Sequence, residues 1–386
     1  MQLADRARRM GTETAFEVLA KARKLEAEGK TIIHLQIGEP DFTTPKNICD
    51  AGIKSIQHGD THYTPAAGIL ELRQAIVDYI KKTRGVEYSP ENVVVTPGAK
   101  PIMFFTILSL IGKGDEVIYP NPGFPIYESM INFVGGTPVP LQLKEENEFK
   151  VDAADFEKLV TNRTKLVIIN SPGNPTGKTI PKEVIQQIAE ILKPRDTYIL
   201  SDEIYSRIVY DGAEPYSISK INGFKERTII LDGFSKTYAM TGWRAGYGVM
   251  NMELAPIISK LMVNSNSCTN AFVQKACIEA LTGPQDEIDK MVAQFKKRRD
   301  VMVDGLNSIK GFKCLKPDGA FYAFPSIKGT GYKSKELADK LLYEAGVATL
   351  AGTSFGKFGE GYLRFSYANS IENIQKAIAK IKDIVK

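Results

Sequence analysis

The segment Leu166-Val-Ile-Ile-Asn-Ser-Pro-Gly-Asn-Pro-Thr-Gly177 contains the clearest structural signal of the chain. Its first part is a near-continuous apolar run, which is typical of a strand that is covered on both faces of a sheet. Its second part is rich in glycine and proline, which favour a rigid turn and do not continue a central strand. The segment therefore predicts a buried strand that ends in a polar loop.

Six further segments carry the signal of a short β-rich run, and helix-like segments lie between several of them. The strand candidates are Asn92–Thr96, Glu116–Tyr119, Pro138–Leu143, Lys165–Asn170, Thr197–Ser201, Thr228–Asp232 and Gly246–Met250. The helix candidates are residues 13–29, 99–111, 124–134, 181–193 and 253–281. This alternation predicts an α/β fold with a mostly parallel seven-stranded sheet covered by helices.

The pattern changes after Gly283-Pro284. A long charged helix leads there to shorter strands and a terminal helix, which predicts a smaller α+β domain. The elements expected in it are a helix at 285–308, strands at 320–324, 347–350 and 362–367, and a helix from residue 371. We expect an N-terminal arm and helix (1–35) associated with the small domain, a large domain (36–283) and the small C-terminal domain (284–386). Helix 253–281 is expected to bridge the two domains.

The composition is that of an ordinary globular protein, with 43% apolar and 25% charged residues among 386. A net charge of +5 is small for this length, so we expect no nucleic-acid partner. The four cysteines form no CxxC pair and there are only three histidines, so no metal site is expected. The first residues are too charged for a secretory signal and no apolar run could span a bilayer, so we expect no membrane partner and a cytoplasmic location.

Five predicted strands end in polar or aromatic residues, and open α/β sheets bind their ligands at this edge. Lys236 lies just past the strand Thr228–Asp232, where burial would lower the pKa of its amine and make it a nucleophile toward carbonyls. Ser235 and Arg244 lie close enough in sequence to hold a phosphate near it. The alternative is a loop lysine and a surface arginine after a core strand.

Three other segments are candidates for binding charged groups. Asp202 ends a buried strand, where a carboxylate needs a partner, and the alternative to a ligand is a core arginine. Thr96-Pro-Gly-Ala-Lys100 precedes an apolar helix, whose N-terminus can bind an anion or can simply be a capped end. Arg364 lies in an otherwise apolar strand and suits a planar anion, the alternative being an acidic neighbour.

Together these segments resemble the class I/II aminotransferases, enzymes of fold type I that use pyridoxal 5′-phosphate. The resemblance spans nearly the whole chain, from Ile37-Gly-Glu-Pro-Asp-Phe42 to Arg364, and its most specific motifs are Ser171–Gly177, Ser201–Tyr205 and Ser235–Gly246. The most similar subgroup contains prokaryotic aspartate and aromatic aminotransferases. The resemblance implies transfer of an amino group from an L-amino acid to a 2-oxo acid such as 2-oxoglutarate, by a ping-pong mechanism.

By this resemblance Lys236 forms the Schiff base with the cofactor aldehyde and moves a proton between the substrate α-carbon and the cofactor. Asp202 is implied to pair with the pyridinium nitrogen, so that the ring accepts electrons. Tyr205 and Asn174 are implied to hydrogen-bond the phenolic oxygen of the cofactor, and Phe124 is implied to stack on its ring.

The resemblance also implies how the cofactor phosphate is held. The residues concerned are Ala99 and Lys100, through their backbone amides, with Ser235 and Arg244. Tyr63 is implied to reach the phosphate from a second subunit, which implies a homodimer with shared active sites.

Arg364 is implied to bind the substrate α-carboxylate, with Asn174 and the backbone of Gly38 beside it. Lys100 matches a lysine that recognises the distal carboxylate in prokaryotic aspartate aminotransferases of the subgroup. Glu13 stands where those enzymes carry small hydroxyl residues, and it would repel a second carboxylate unless it pairs with Lys100. An aspartate-like activity and an aromatic or neutral amino-acid activity therefore both stay open.

Two other protein classes share this scaffold. A C–S lyase is similar at the same residues, and it would release pyruvate and ammonia from cysteine conjugates without a 2-oxo acid. An amino-acid-sensing regulator carries a DNA-binding helix-turn-helix in front of the fold, for which residues 1–36 are too few. We therefore expect an enzyme.

Overall fold

The structure is a computed structural model and describes residues 2–385. Its α-helices are α1 (Asp5–Arg8), α2 (Thr14–Ala27), α3 (Lys46–His58), α4 (Leu70–Arg84), α5 (Lys100–Leu110), α6 (Ile126–Val134), α7 (Ala153–Leu159), α8 (Lys182–Leu192), α9 (Leu254–Ser265), α10 (Ala271–Thr282), α11 (Asp286–Asn307), α12 (Ser334–Lys340) and α13 (Ile371–Ile384). Its strands are β1 (Ile33–His34), β2 (Val93–Thr96), β3 (Glu116–Asn121), β4 (Thr137–Gln142), β5 (Thr164–Asn170), β6 (Tyr198–Asp202), β7 (Thr228–Gly233), β8 (Gly246–Val249), β9 (Tyr322–Ala323), β10 (Val347–Ala348), β11 (Leu350–Ala351) and β12 (Leu363–Ser366).

The large sheet has the strand order β2-β8-β7-β6-β5-β3-β4. Neighbouring strands are parallel except at β8, which runs antiparallel to both β2 and β7. The apolar run of β5, from Leu166 to Ile169, is buried, as a strand covered on both faces requires. The α/β prediction is therefore confirmed, and each of the seven predicted strands takes part in this sheet.

The remaining strands form two small sheets. β11, β12 and β9 pair antiparallel in that order, and β1 pairs with β10 in parallel. On α2, the buried Ala22 and Leu25 pack in one apolar cluster with Leu342 and Ala348. The N-terminal helix thus lies against the elements around β10, whereas the domain limits given above stay a prediction.

The prediction of a single helix over residues 253–281 is wrong, because α9 ends at Ser265 and α10 begins at Ala271. The segment between them is rich in Asn, Ser and Thr, whose side chains compete with the helical backbone bonds. Ser267 has a φ of 64°, a left-handed value that a right-handed helix cannot contain.

The predicted strand 347–350 is also divided, because β10 and β11 belong to different sheets. Thr349 separates them, and its hydroxyl donates to the Arg364 carbonyl oxygen over 2.7 Å.

The sheet register brings the sequence motifs to one edge. Asn170 at the end of β5 is the register partner of Asp202 at the end of β6, and Thr96 of β2 is the partner of Gly246 of β8. The loops that follow β5, β6 and β7 therefore open toward the same crevice. Among residues 2–385, none of the helices combines the length and the apolar character that a membrane span requires.

Candidate active site

A cavity of about 880 Å³ lies at this edge of the sheet. Twelve of the thirteen residues proposed from the sequence line it. They are Glu13, Gly38, Ala99, Lys100, Phe124, Asn174, Asp202, Tyr205, Ser235, Lys236, Arg244 and Arg364. Tyr63 is the exception: it lies in the connection between α3 and α4, and 88% of its surface is exposed. The sequence thus identified one continuous site and one residue on the outer surface of the protomer.

Lys236 follows β7 and extends its amine into the cavity. The Nζ atom donates a hydrogen bond to the Gly38 carbonyl oxygen over 2.5 Å. Burial lowers the pKa of Lys236 from 10.5 to about 8, although the charges of Glu39 and Glu13 act in the opposite direction. The fraction of this amine that is neutral, and nucleophilic, near neutral pH is therefore far larger than for an ordinary lysine.

Asp202 presents a buried carboxylate at the end of β6. One oxygen accepts from the Tyr127 hydroxyl over 2.5 Å, and the other accepts from the Ile204 backbone N–H over 3.3 Å. Burial raises the pKa of Asp202 from 3.8 to about 6, and the two hydrogen bonds only partly oppose it. Within residues 2–385 no basic side chain forms an ion pair with Asp202.

The core arginine considered as a partner for Asp202 binds other carboxylates. Arg84, at the end of α4, donates to Glu203 over 2.9 Å and to Asp232 over 2.6 Å, and all three side chains are buried. Glu203 also accepts hydrogen bonds from Ser201 and Ser217. This network is complete without Asp202, which leaves the Asp202 carboxylate for a ligand.

In the part of the chain that the structure describes, Asp202 is a buried carboxylate without a cation, and Arg364 is a buried guanidinium without a carboxylate. Its Nη1 donates to Asn174 Oδ1 over 3.0 Å and its Nη2 to the Gln36 carbonyl oxygen over 2.5 Å. Its Nε is buried and finds no hydrogen-bond acceptor. The rings of Tyr322 and Phe355 lie 4.4 and 4.9 Å from its Cζ. No acidic residue of the described chain pairs with it, so the acidic neighbour considered from the sequence is not found.

The N-terminus of α5 lies beside Arg244. The first N–H groups of a helix have no carbonyl one turn earlier and carry the positive end of the helix dipole. Arg244 donates to the Thr241 carbonyl oxygen over 3.0 Å, and a Cβ at Gly98 would clash with its guanidinium. Gly246 packs against the backbone nitrogen of Ala99 in the same way. Glycine at these positions lets the guanidinium and the helix end approach each other.

Lys100, the first residue of α5, forms an ion pair with Glu13 in the cavity. The Glu13 side chain is 17% exposed and the Lys100 side chain 50%. The Lys100 ammonium lies 5.5 Å from the centre of the Phe124 ring. The pairing that the sequence left as a condition is therefore present.

Three residues of the site were missed by the sequence reasoning. Tyr127 binds Asp202, Tyr322 shares a 2.7 Å hydrogen bond with the Tyr205 hydroxyl, and Gln36 binds Arg364. Tyr127 could have been found, because it lies three residues after Phe124 and so on the same face of a helix. Tyr322 and Gln36 reach the site through the packing of distant segments and carry no local signal.

This set of residues fits pyridoxal 5′-phosphate. The protonated ring nitrogen needs a carboxylate without a cation, which Asp202 provides. The aldehyde needs an amine of lowered pKa, which Lys236 provides. The phosphate needs N–H groups and a cation, which the start of α5 and Arg244 provide.

Comparisons with known proteins agree with the geometry. Residues 30–381 match the family model described as aminotransferase class I and II. The chain is 40% identical to an aspartate aminotransferase of Bacillus sp. (strain YM-2), covering 100% of this chain and 99% of the relative. It is 36% identical to aromatic-amino-acid aminotransferase 2 of Thermococcus litoralis, covering 100% and 99%. A solved aspartate aminotransferase from Thermus thermophilus with maleate superposes with a TM-score of 0.95 at 34% identity, covering 100% of both chains.

The matches extend over the large sheet, both small sheets and every motif named above, so the resemblance seen in the sequence is confirmed. Members of this family use pyridoxal phosphate. The chain belongs to the class I and II aminotransferases and is a pyridoxal-phosphate-dependent enzyme.

Proposed function

We propose that this aminotransferase works in two half-reactions at the cavity described above. In the first, an L-amino acid leaves its amino group on the enzyme and departs as a 2-oxo acid. In the second, a different 2-oxo acid, with 2-oxoglutarate as the first candidate, accepts that group. The observation that carries the proposal is the pair of buried, uncompensated charges, Asp202 and Arg364, in the cavity that also contains Lys236.

Lys236 is proposed as the residue that binds the cofactor and moves the proton. When bound, pyridoxal phosphate supplies an aldehyde carbon that takes up the amino group and a ring that withdraws electrons from the substrate α-carbon. Lys236 Nζ binds the cofactor until the substrate amine replaces it, and it then carries the proton away from the α-carbon. A pKa of about 8 suits an amine that must both accept and return a proton near neutral pH.

Asp202 is proposed to hold the proton on the ring nitrogen. A cation beside this carboxylate favours its ionised form, so binding of the cofactor lowers the pKa of Asp202 from about 6. Tyr127 fixes the orientation of the carboxylate. Tyr205 and Asn174 are proposed to donate to the phenolic oxygen of the cofactor, and Phe124 to cover the ring face.

The phosphate is proposed to be held by the backbone N–H groups of Ala99 and Lys100 together with Ser235 and Arg244. Ser235 and Arg244 line the cavity, and Arg244 lies against the start of α5. The helix dipole and the guanidinium both favour a dianion at this point.

Arg364 is proposed to bind the substrate α-carboxylate. Its unpaired Nε and its planar fork allow two parallel hydrogen bonds to a carboxylate. Asn174 holds the guanidinium in place, and the backbone of Gly38 lies beside the Lys236 amine. The substrate α-carbon is thereby held within reach of the group that takes its proton.

Two classes of amino donor are supported by different observations. The Bacillus relative is named as acting on aspartate, and Lys100 supplies a cation for a second carboxylate. The Thermococcus relative is named as acting on aromatic amino acids, and here Lys100 is already paired with Glu13. An aspartate-like activity is the first candidate by family, and an aromatic or neutral donor is the second.

We also propose a homodimer in which Tyr63 of each chain completes the phosphate site of the other. The exposure of Tyr63 outside its own cavity supports this role. The division into residues 1–35, 36–283 and 284–386 and a cytoplasmic location complete the proposal.

The test is the near-UV and visible absorption of the purified holoenzyme before and after adding single L-amino acids. A cofactor band that changes with an amino acid and returns with a 2-oxo acid supports transamination. Release of pyruvate and ammonia from a cysteine conjugate without a 2-oxo acid would indicate a lyase. Lys236→Ala is expected to lower turnover by several powers of ten, since it removes nucleophile and proton carrier together. Near-normal transamination by this variant would refute the assignment.

A further inference from the structure

Residues 9–13, which precede α2, are hydrogen-bonded to α6 and end at the cavity. Arg9 donates from Nε to the Asn132 carbonyl oxygen over 2.9 Å and from Nη2 to the Phe133 carbonyl oxygen over 3.3 Å. Gly11 exchanges two hydrogen bonds with the Ser129 hydroxyl, at 2.9 and 3.1 Å. These contacts fix the position of Glu13, which directly precedes the first residue of α2.

From this position the Glu13 carboxylate acts on the whole substrate cavity. It forms the ion pair with Lys100, and its charge raises the pKa of both Lys236 and Arg364 against the effect of burial. The Glu13 side chain is mostly covered, so solvent screens this interaction only partly.

The other cations of the cavity have other proposed partners or lie farther along α2, so they are not expected to bind the substrate side chain. Lys236, Arg244 and Arg364 are the proposed partners of the cofactor aldehyde, the phosphate and the α-carboxylate. Arg23 also lines the cavity, but it lies nine residues beyond the first residue of α2, which is ~13.5 Å along the helix axis. Lys100 is therefore the cation available to the substrate side chain.

We propose that Glu13 is a specificity-determining residue, which occupies Lys100 as an internal carboxylate and so favours amino donors with an uncharged, apolar side chain over dicarboxylates. The inference rests on the proposed function and names its substrate class. The apolar side chains of Phe16, Leu19, Leu350 and Phe355 also line the cavity and supply contacts for such a donor.

The physical reason is a competition between carboxylates. A second carboxylate on the substrate must displace Glu13 from Lys100 and then lie beside the displaced negative charge. An uncharged side chain leaves the ion pair intact and loses nothing. The same competition weakens the binding of a dicarboxylic 2-oxo acid, because the ion pair between Glu13 and Lys100 must break before the second carboxylate can bind.

The test compares the holoenzyme with Glu13→Gln, which keeps the size of the side chain and removes its charge. The first readout is the rate constant of the cofactor band change, divided by the apparent Kd, with L-aspartate, L-glutamate, L-phenylalanine and L-alanine. The second is the Kd of the unreactive dicarboxylate maleate and of the monocarboxylate 3-phenylpropionate, measured by calorimetry. We expect the first readout for both amino dicarboxylates and the affinity for maleate to rise by about tenfold or more relative to those of the compounds without a second carboxylate, which share only the effect of the Glu13 charge on Lys236 and Arg364.

Two variants separate this cause from others. Glu17→Gln removes a like charge from the exposed first turn of α2, outside the cavity lining, and is expected to change none of these values. In a Lys100→Gln background, Glu13→Gln is expected to give a clearly smaller gain for dicarboxylates, because only the repulsion by Glu13 is removed and no cation is released.

The outcomes distinguish the inference from the proposed function. Equal gains for both substrate classes, or no gain for dicarboxylates and maleate, overturn the inference, whereas transamination by the parent enzyme would still stand. A parent enzyme whose cofactor band responds to none of the four amino acids would refute the proposed function itself.

Discussion

Asp202→Asn is expected to stabilise the cofactor-free chain, although it removes a residue proposed to act in catalysis. Burial raises the pKa of Asp202 from 3.8 to about 6, so the ionised carboxylate is less favourable in the folded chain than in the unfolded chain. Asparagine has the same shape, carries no charge and still offers an oxygen to the Tyr127 hydroxyl, and it loses only the weak 3.3 Å bond from the Ile204 N–H. The substitution therefore removes the cost of burying the charge and keeps the packing.

The magnitude follows from the two pKa values. At ~1.4 kcal/mol for each pKa unit, a pKa of about 6 in place of 3.8 lowers the free energy of unfolding by ~3 kcal/mol when Asp202 is ionised in both states. Because the folded pKa is the higher one, this loss is absent below about pH 4, grows as the pH rises, and is complete above about pH 7. The advantage of the variant must grow over the same range.

The assay is urea unfolding of both proteins without cofactor, at one protein concentration, near pH 4.5 and near pH 8. The unfolding midpoint of Asp202→Asn is expected to exceed that of the parent slightly near pH 4.5 and by a clearly larger margin near pH 8. Tyr127→Phe, which removes the hydrogen bond to the carboxylate, is expected to destabilise the parent more than the Asp202→Asn variant near pH 8. A variant no more stable than the parent near pH 8, or a difference independent of pH, would refute the reasoning.

Two further substitutions test the roles of the buried arginines. Arg364→Lys is expected to raise the KM for the amino donor by about tenfold or more without altering the cofactor spectrum, since a lost charge-assisted hydrogen bond costs ~1.5–3 kcal/mol; an unchanged KM would exclude Arg364 as the carboxylate partner. Arg84→Met is expected to lower the free energy of unfolding by ~3–5 kcal/mol in urea, because it leaves Glu203 and Asp232 buried without a cation; an unchanged midpoint would contradict a structural role for this network.

The large sheet could be predicted from the sequence because each of its strands has a local sequence signal. A run such as Leu166–Ile169 is long enough to cross a covered sheet, and the glycines and prolines after it mark where the strand ends. The ligand edge of such a sheet follows from topology alone, so the sequence is enough to place Asn174, Asp202 and Lys236 together.

The parts that were missed depend on contacts between distant segments. Tyr322 reaches Tyr205 across 117 residues of chain, and Gln36 reaches Arg364 across 328. The break between α9 and α10 was missed for a different reason. The polar residues 264–270 signal it locally, but the apolar spacing on either side suggested one continuous helix.

Two adjacent carboxylates at the end of β6, Asp202 and Glu203, differ in whether the protein compensates their charge. Successive side chains of an extended segment point to opposite faces, so Asp202 and Glu203 cannot both enter the cavity. Glu203 faces Arg84 and the hydroxyls of Ser201 and Ser217, and its charge is compensated inside the protein. Asp202 faces the cavity with one hydroxyl and one weak backbone donor, and its charge is not compensated. A residue that only stabilised the fold would have no reason to stay ionisable there, whereas a residue that must hold a cationic ring nitrogen has to lack a cation of its own.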